Sequence, residues 1–296
     1  MKVLFISLGC DKNLVDSEHM SGILSNAGYE FTDDEREAEV IVINSCCFIH
    51  DAKEESINTI FEMARYKEEG KCQVLVLAGC LAQRYHDEIK DEIPEIDICI
   101  GTTAIDSIAE ALDDYFINHH NIQIINDIDK LSGVDAPRNL STIGSFAYLK
   151  IAEGCDKHCT YCIIPKIRGN FRSIKMETLI KEAKDLAERG VKELILVAQE
   201  TTMYGKDIYG KKSLHLLLKE LAKIGGICWI RVLYCYPEEI YDELIDTIAE
   251  EKKICHYLDI PIQHASDNIL KRMGRRTSNE QLRAVSYTHL RAHETS

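Results

Sequence analysis

Residues 145–162 read SFAYLKIAEGCDKHCTYC. The stretch starts as a strand of aromatic and aliphatic residues and breaks at Gly154 into a loop carrying Cys155, Cys159 and Cys162. The strand predicted over residues 146–152 opens a series, with further strands predicted at 193–198, 228–233 and 257–262. Helical patterns fall at 176–188, 214–223, 237–250 and 267–273. Four strand–helix units in a row predict part of a βα barrel, whose active face lies at the carboxyl ends of its strands. The cysteine loop follows the first strand directly, so it belongs at that face.

Upstream, short β-branched runs at 2–8, 39–44, 73–78 and 97–100 alternate with helical stretches at 16–27 and 52–66, Asp16 or Ser17 serving as a cap. Nearly continuous apolar strands in such an alternation predict a doubly wound parallel sheet covered on both faces, ending near residue 125. Residues 126–144, with Gly133, Pro137 and Gly144, read as a linker. The expected division is an α/β domain over 1–125, that linker, and an incomplete barrel over 145–285. Residues 286–296 (SYTHLRAHETS) show no apolar period and are expected neither to continue the helix of 279–285 nor to belong to the natural protein.

The chain has 296 residues, enough for two domains of ordinary size. No apolar run approaches the roughly 20 residues that span a bilayer, which predicts no membrane association. The opening MKVLFISLGC lacks a cleavage site and reads as a strand, so the protein is placed in the cytoplasm. There its twelve cysteines point to metal binding or catalysis rather than disulfides. A net charge of −14 argues against direct nucleic-acid binding and leaves room for a basic protein partner.

Thiolates spaced as Cys155, Cys159 and Cys162 can converge on one soft metal centre, and three ligands leave one iron of a 4Fe-4S cluster open. A structural zinc site normally closes with four ligands, and His158 is the one candidate for a fourth. Zinc, or plain buried thiols, is the alternative. A second trio is less obvious. Cys10 ends KVLFISLG, Cys46 ends EVIVINS and Cys80 ends QVLVLAG. Carboxyl ends of parallel strands share one edge of a sheet, so these thiols can be neighbours despite their distance in sequence. Three unrelated buried thiols is the competing reading. Cys47 faces the opposite way if the strand continues, so Cys46 is taken as the ligand. Cys72, Cys99, Cys228, Cys235 and Cys255 are expected in the core.

The loop spacing, with Tyr161 before its third cysteine, resembles the radical S-adenosylmethionine superfamily. The two trios together resemble its methylthiotransferase family. SLGCDKNLVDSE resembles the members that modify a ribosomal protein, as do NSCCFIHDAKEESI, AGCLAQRY, LKIAEGCDKHCTYCIIPKIRG, AQETTMYG and LDIPIQHASDNILKRMGRR. The matches cover residues 1 to about 285. One departure is Cys47, where the family usually has glycine. Another is the end of the chain, because the family's barrel normally runs on and a small all-β TRAM domain usually follows.

The resemblance implies two 4Fe-4S clusters and S-adenosylmethionine. One cluster is held by Cys10, Cys46 and Cys80. The other, on Cys155, Cys159 and Cys162, is where S-adenosylmethionine is cleaved to a radical. It implies transfer of a methylthio group to the β-carbon of an aspartate in small-subunit ribosomal protein S twelve, with a reductant such as flavodoxin or ferredoxin. Tyr161 is then expected near the adenine. Gln199 and Glu200 end the second barrel strand, and Gln263 and His264 the fourth, so they are expected to face the site. Lys271, Arg272, Arg275 and Arg276 are read as a solvated face. A tRNA methylthiotransferase and a non-enzymatic iron–sulfur electron carrier are the rival readings.

Overall fold

Val40–Ser45 and Val74–Gly79 are buried along their whole lengths, as strands must be when helices cover both faces of their sheet. They lie at the centre of one of two compact units in the computed structural model, which describes residues 1–141 and 144–294, backbone alone from 288. One unit comprises Met1–Ser141 with Lys166–Arg168, the other Thr142–Pro165 with Gly169–Ser296.

In the first unit the strands are β1 (Lys2–Ser7), β2 (Glu30–Phe31), β3 (Val40–Ser45), β4 (Val74–Gly79), β5 (Ile98–Ile100) and β6 (Ile122–Ile124). The helices are α1 (Asp11–Asn26), α2 (His50–Ala64), α3 (Tyr66–Glu69), α4 (Cys80–Glu92) and α5 (Ile108–Asn118). All six strands pair in parallel in the order β2-β1-β3-β4-β5-β6. The winding reverses between β1 and β3. In open α/β sheets such a reversal leaves a crevice at the carboxyl edge where ligands bind. Val3, Met20, Leu24, Val42, Val76, Ile98 and Leu112 form part of the core on one face.

Helix α1 begins earlier than the sequence predicts. Cys10 is its N-cap residue, while Asp16 and Ser17 lie inside it and are buried. Its buried side is largely polar (Asn13, Asp16, Ser17, Glu18), so apolar periodicity could not reveal its first turn. Residues 126–141 of the expected linker are held on this unit, and residues 142–143 lie outside the described ones. Arg138 donates to Glu18 Oε2 from Nε (2.8 Å) and Nη2 (2.6 Å), and Ser141 N–H donates to Glu18 Oε1 at 2.9 Å.

The second unit has a four-stranded parallel sheet in the order β12-β11-β10-β7. Its strands are β7 (Phe146–Lys150), β10 (Glu193–Val197), β11 (Trp229–Val232) and β12 (Ile254–Leu258), while β8 (Ala152–Glu153) and β9 (Arg172–Ser173) form an antiparallel pair. Helices α6 (Ile164–Arg168), α7 (Met176–Glu188), α8 (Lys206–Tyr209), α9 (Leu214–Ala222), α10 (Asp242–Glu250), α11 (Asp267–Arg272) and α12 (Asn279–Glu294) complete the chain. Neighbouring strands follow sequence order, with α7, α9 and α10 as the crossovers, which is the arrangement of a partial βα barrel.

Two expectations change here. The fourth strand is 254–258, not 257–262. Beyond Leu258 the chain meets Pro261, which has no N–H for a ladder, and Ile262 is exposed. The helix starting at Asn279 continues to Glu294 instead of stopping at 285. Leu290, Arg291, Ala292 and Glu294 are all good helix formers. Residues 295–296 of the expected tail lie outside the described ones.

Candidate active site

In the first unit β1, β3 and β4 are adjacent, with Ser7 opposite Asn44 and Ser45 opposite Gly79. Cys46 and Cys80 each follow their strand at once, and Cys10 follows Ser7 after Leu8 and Gly9. The sheet therefore delivers all three cysteines to one edge, beside the point where its winding reverses. Gly9 has φ +90°, and a Cβ there would lie 2.7 Å from Cys46 Cβ and 2.9 Å from its Sγ. Only glycine lets the two turns approach this closely.

Asn13, in the first turn of α1, sits among the thiols. Its Oδ1 accepts from Cys10 Sγ at 4.0 Å and Cys80 Sγ at 3.8 Å. Its Nδ2 donates to Leu8 O and Ser45 O, both at 3.0 Å, which fixes the carboxamide's orientation. Cys46 and Cys80 are buried and Cys10 is exposed, so the trio opens on one side. Burial raises the Cys46 thiol and pushes Cys80 up to about 12, with the positive charge of Arg168 opposing the rise in both. Cys47 is buried and its thiol donates to Cys80 O at 3.2 Å.

In the second unit the CDKHCTYC loop leaves β8 through Gly154. That residue has φ +74°, and a Cβ would stand 2.0 Å from Asn170 O. Cys155 N–H donates to Gly169 O and Cys162 N–H to Cys159 O, both at 3.0 Å. Thr160 ties the loop to the end of α11 through Met273 O (3.0 Å) and Arg272 O (3.1 Å). Cys155 and Cys159 are buried, Cys162 is half-buried and Tyr161 is exposed. Burial pushes Cys155 up to about 12, with the charges of Glu200, Cys162 and Cys159 adding to the rise.

Gln199 and Glu200, two and three residues past β10, are buried beside this loop. Gln199 Nε2 donates to Glu153 Oε1 at 3.1 Å, and Glu200 accepts from the Thr202 hydroxyl. Gln199 Oε1 and Glu200 Oε2 are buried with no hydrogen-bond partner. Such orphaned acceptors suit a polar ligand. Gln263 and His264 are exposed, because β12 ends five residues before Gln263. Lys271, Arg272 and Arg276 are exposed as expected, but Arg275 is buried with its guanidinium 4.1 Å from the centre of the Tyr236 ring. Tyr236 and Lys157, also missed from sequence, lie with it, and Lys157 pairs with Glu239. Of the cysteines expected in the core, Cys72, Cys99 and Cys235 are buried, Cys255 is half-buried and Cys228 is exposed at the start of β11.

Among the described residues no group of three or more metal-binding side chains already stands in position to hold an ion. Each trio nevertheless fits an iron–sulfur cluster by its chemistry: three soft thiols on short turns, with at least one thiol of each partly open.

Burial pushes Glu200 up to about 7 from an ordinary 4.5. Between those values the folded carboxyl keeps a proton that the unfolded chain has lost, so stability falls as pH rises through that window. In cluster-free protein the Glu200→Gln variant should gain on the parent by roughly 3 kcal/mol between pH 4.5 and 7.5. Urea denaturation at the two pH values measures it, and a difference that does not change with pH would contradict it.

Comparison with known proteins fixes the class of the second unit. Residues 149–290 match the Radical SAM superfamily, and residues 2–101 match uncharacterized protein family UPF0004. The second unit is thus a radical S-adenosylmethionine domain. The chain as a whole is similar to the proteins named ribosomal protein uS12 methylthiotransferase RimO, which bears out the resemblance read from its motifs. That of Lachnoclostridium phytofermentans is 63% identical over 282 residues, 95% of this chain and 64% of that protein. That of Clostridioides difficile is 54% identical over 282 residues, 95% of this chain and 63% of that protein. The chain spans a little under two thirds of these relatives. Among solved structures it shares its fold with the radical S-adenosylmethionine methyltransferase TsrM from Kitasatospora setae. Their TM-score is 0.64 at 14% identity, covering 96% of this chain and 64% of that one. The cobalamin-dependent S-adenosylmethionine radical enzyme OxsB gives 0.61 at 13% identity, covering 95% and 46%. Among the described residues no helix is long and apolar enough to cross a membrane.

Proposed function

We propose that this chain carries the two cysteine sites of a radical methylthiotransferase that places a methylthio group on the β-carbon of an aspartate in ribosomal protein uS12. The carrying observation is the pair of three-thiol sites, each at the carboxyl edge of its own parallel sheet. Cys155, Cys159 and Cys162 would hold one 4Fe-4S cluster, and Cys10, Cys46 and Cys80 a second. When bound, the first cluster with S-adenosylmethionine supplies a carbon radical able to take hydrogen from an unactivated C–H bond, which no general base could deprotonate.

The protein's own part is to bind and exclude water. Buried Gln199 and Glu200 offer unpartnered oxygens to the polar groups of S-adenosylmethionine, and exposed Tyr161 offers a ring face beside the loop. Lys157 and Arg275 place positive charge against Tyr236, next to Cys155 and Cys159. The net charge of −14 suits a basic ribosomal protein better than a nucleic acid. A cytoplasmic setting, with flavodoxin or ferredoxin as reductant, accords with this chemistry.

The test is anaerobic reconstitution with iron and sulfide, then incubation with S-adenosylmethionine, dithionite and ribosomal protein uS12. Mass spectrometry should show one aspartate carrying methylthio in place of hydrogen. Methylthio-adenosine from tRNA, with uS12 unmodified, would overturn the substrate. Loaded clusters that cleave no S-adenosylmethionine would mark an electron carrier instead.

A further inference from the structure

Arg168 is among the largest fully buried side chains of the protein. It lies six residues after Cys162 in sequence, yet it belongs to the first unit. Its Nη1 donates to Asp16 Oδ2 at 2.8 Å, and its Nη2 donates to Asn13 Oδ1 at 2.5 Å and to Cys80 Sγ at 3.5 Å. One planar guanidinium thus joins a carboxylate, the carboxamide that also receives the Cys10 and Cys80 thiols, and one of those thiols. Burying a full positive charge is costly unless it is paired and hydrogen-bonded. Asp16 neutralises it, but packing alone does not account for an arginine whose other nitrogen faces two groups of the cysteine site.

We propose that Arg168 is a positioning residue of the Cys10–Cys46–Cys80 site, orienting Asn13 and Cys80 and setting the reduction potential of the cluster held there. This rests on the reading that the trio holds a cluster. Three thiolates carry three negative charges and reduction adds another, so a fixed cation favours the reduced state. An N–H donated to a ligand sulfur acts in the same direction. A lysine could supply the charge but not the fork that reaches the carboxylate, the carboxamide and the sulfur together. Asp16 acts the other way, because it offsets the charge that Arg168 brings.

The test uses the full chain with Cys155, Cys159 and Cys162 all changed to alanine, so that only the Cys10–Cys46–Cys80 site can load. Iron per chain and the midpoint potential, from a dithionite titration followed by electron paramagnetic resonance, are the readouts. Arg168→Gln should lower the potential and reduce iron occupancy, while Arg168→Lys should recover more of the potential than of the occupancy. Asp16→Asn, which leaves the guanidinium less neutralised, should raise the potential. It decides the matter if Arg168→Gln fails to fold. A parent that binds no iron would sink the cluster reading and this proposal with it. A parent that loads, with variants at an unchanged potential, would overturn the role of Arg168 alone.

Discussion

Changing Cys155 to alanine is expected to abolish cleavage of S-adenosylmethionine and to lower reconstituted iron from about eight to about four per chain, since each cubane holds four irons. Cys155 is the most constrained of its trio. It is buried, its N–H is bonded to Gly169 O, and the glycine before it allows no Cβ. The substitution removes a small buried thiol, a loss of about 1 kcal/mol, so the fold should survive. 5′-Deoxyadenosine measured chromatographically after dithionite addition is the readout. Undiminished 5′-deoxyadenosine in the variant would remove this loop from the chemistry, and eight irons retained would remove it from cluster binding.

Much of this arrangement was legible in the sequence, and the parts that were not share a cause. Strands β3 and β4 could be read because burial on both faces favours apolar runs, and each strand is followed at once by a cysteine. The order of the first sheet then brings Cys10, Cys46 and Cys80 to one edge. Helix α1 was misplaced by five residues because it buries Asn13, Asp16, Ser17 and Glu18, so no apolar period marks its start. Those polar residues are buried for partners far along the chain: Asp16 for Arg168, Glu18 for Arg138. A single sequence carries no sign of pairings across that distance.

The second site divides in the same way. Gln199 and Glu200 were placed beside the cysteine loop because β10 ends where its apolar run ends. Gln263 was expected there too but is exposed, because the run taken for the fourth strand included Pro261 while the true strand lies earlier. Arg275 looked like part of a solvated basic face, since charge spacing cannot distinguish a solvated arginine from one stacked on Tyr236. Lys157 lies within the cysteine motif itself, yet its half-buried pairing with Glu239 depends on the three-dimensional fold.

Changing Cys46 to alanine should separate the two sites. Iron should again fall to about four per chain, but 5′-deoxyadenosine should still form while methylthio-aspartate disappears from uS12. Cys46 lies against Gly9, at the reversal of the sheet, with its backbone N–H accepted by Ser56 Oγ at 3.0 Å and its carbonyl bonded to the same hydroxyl at 2.9 Å. These two hydrogen bonds hold the turn whatever side chain residue 46 carries, so alanine removes a ligand without moving the backbone. Cys47→Ala is the matched control. Burial pushes the Cys47 thiol up to about 11, and it is engaged with the Cys80 carbonyl, so its loss should leave iron and methylthio transfer intact. The reverse pattern, with Cys47→Ala silencing transfer and Cys46→Ala tolerated, would make Cys47 the ligand. Loss of 5′-deoxyadenosine in the Cys46 variant would mean that the two trios do not act independently, and the assignment of S-adenosylmethionine cleavage to the Cys155 loop alone would fall.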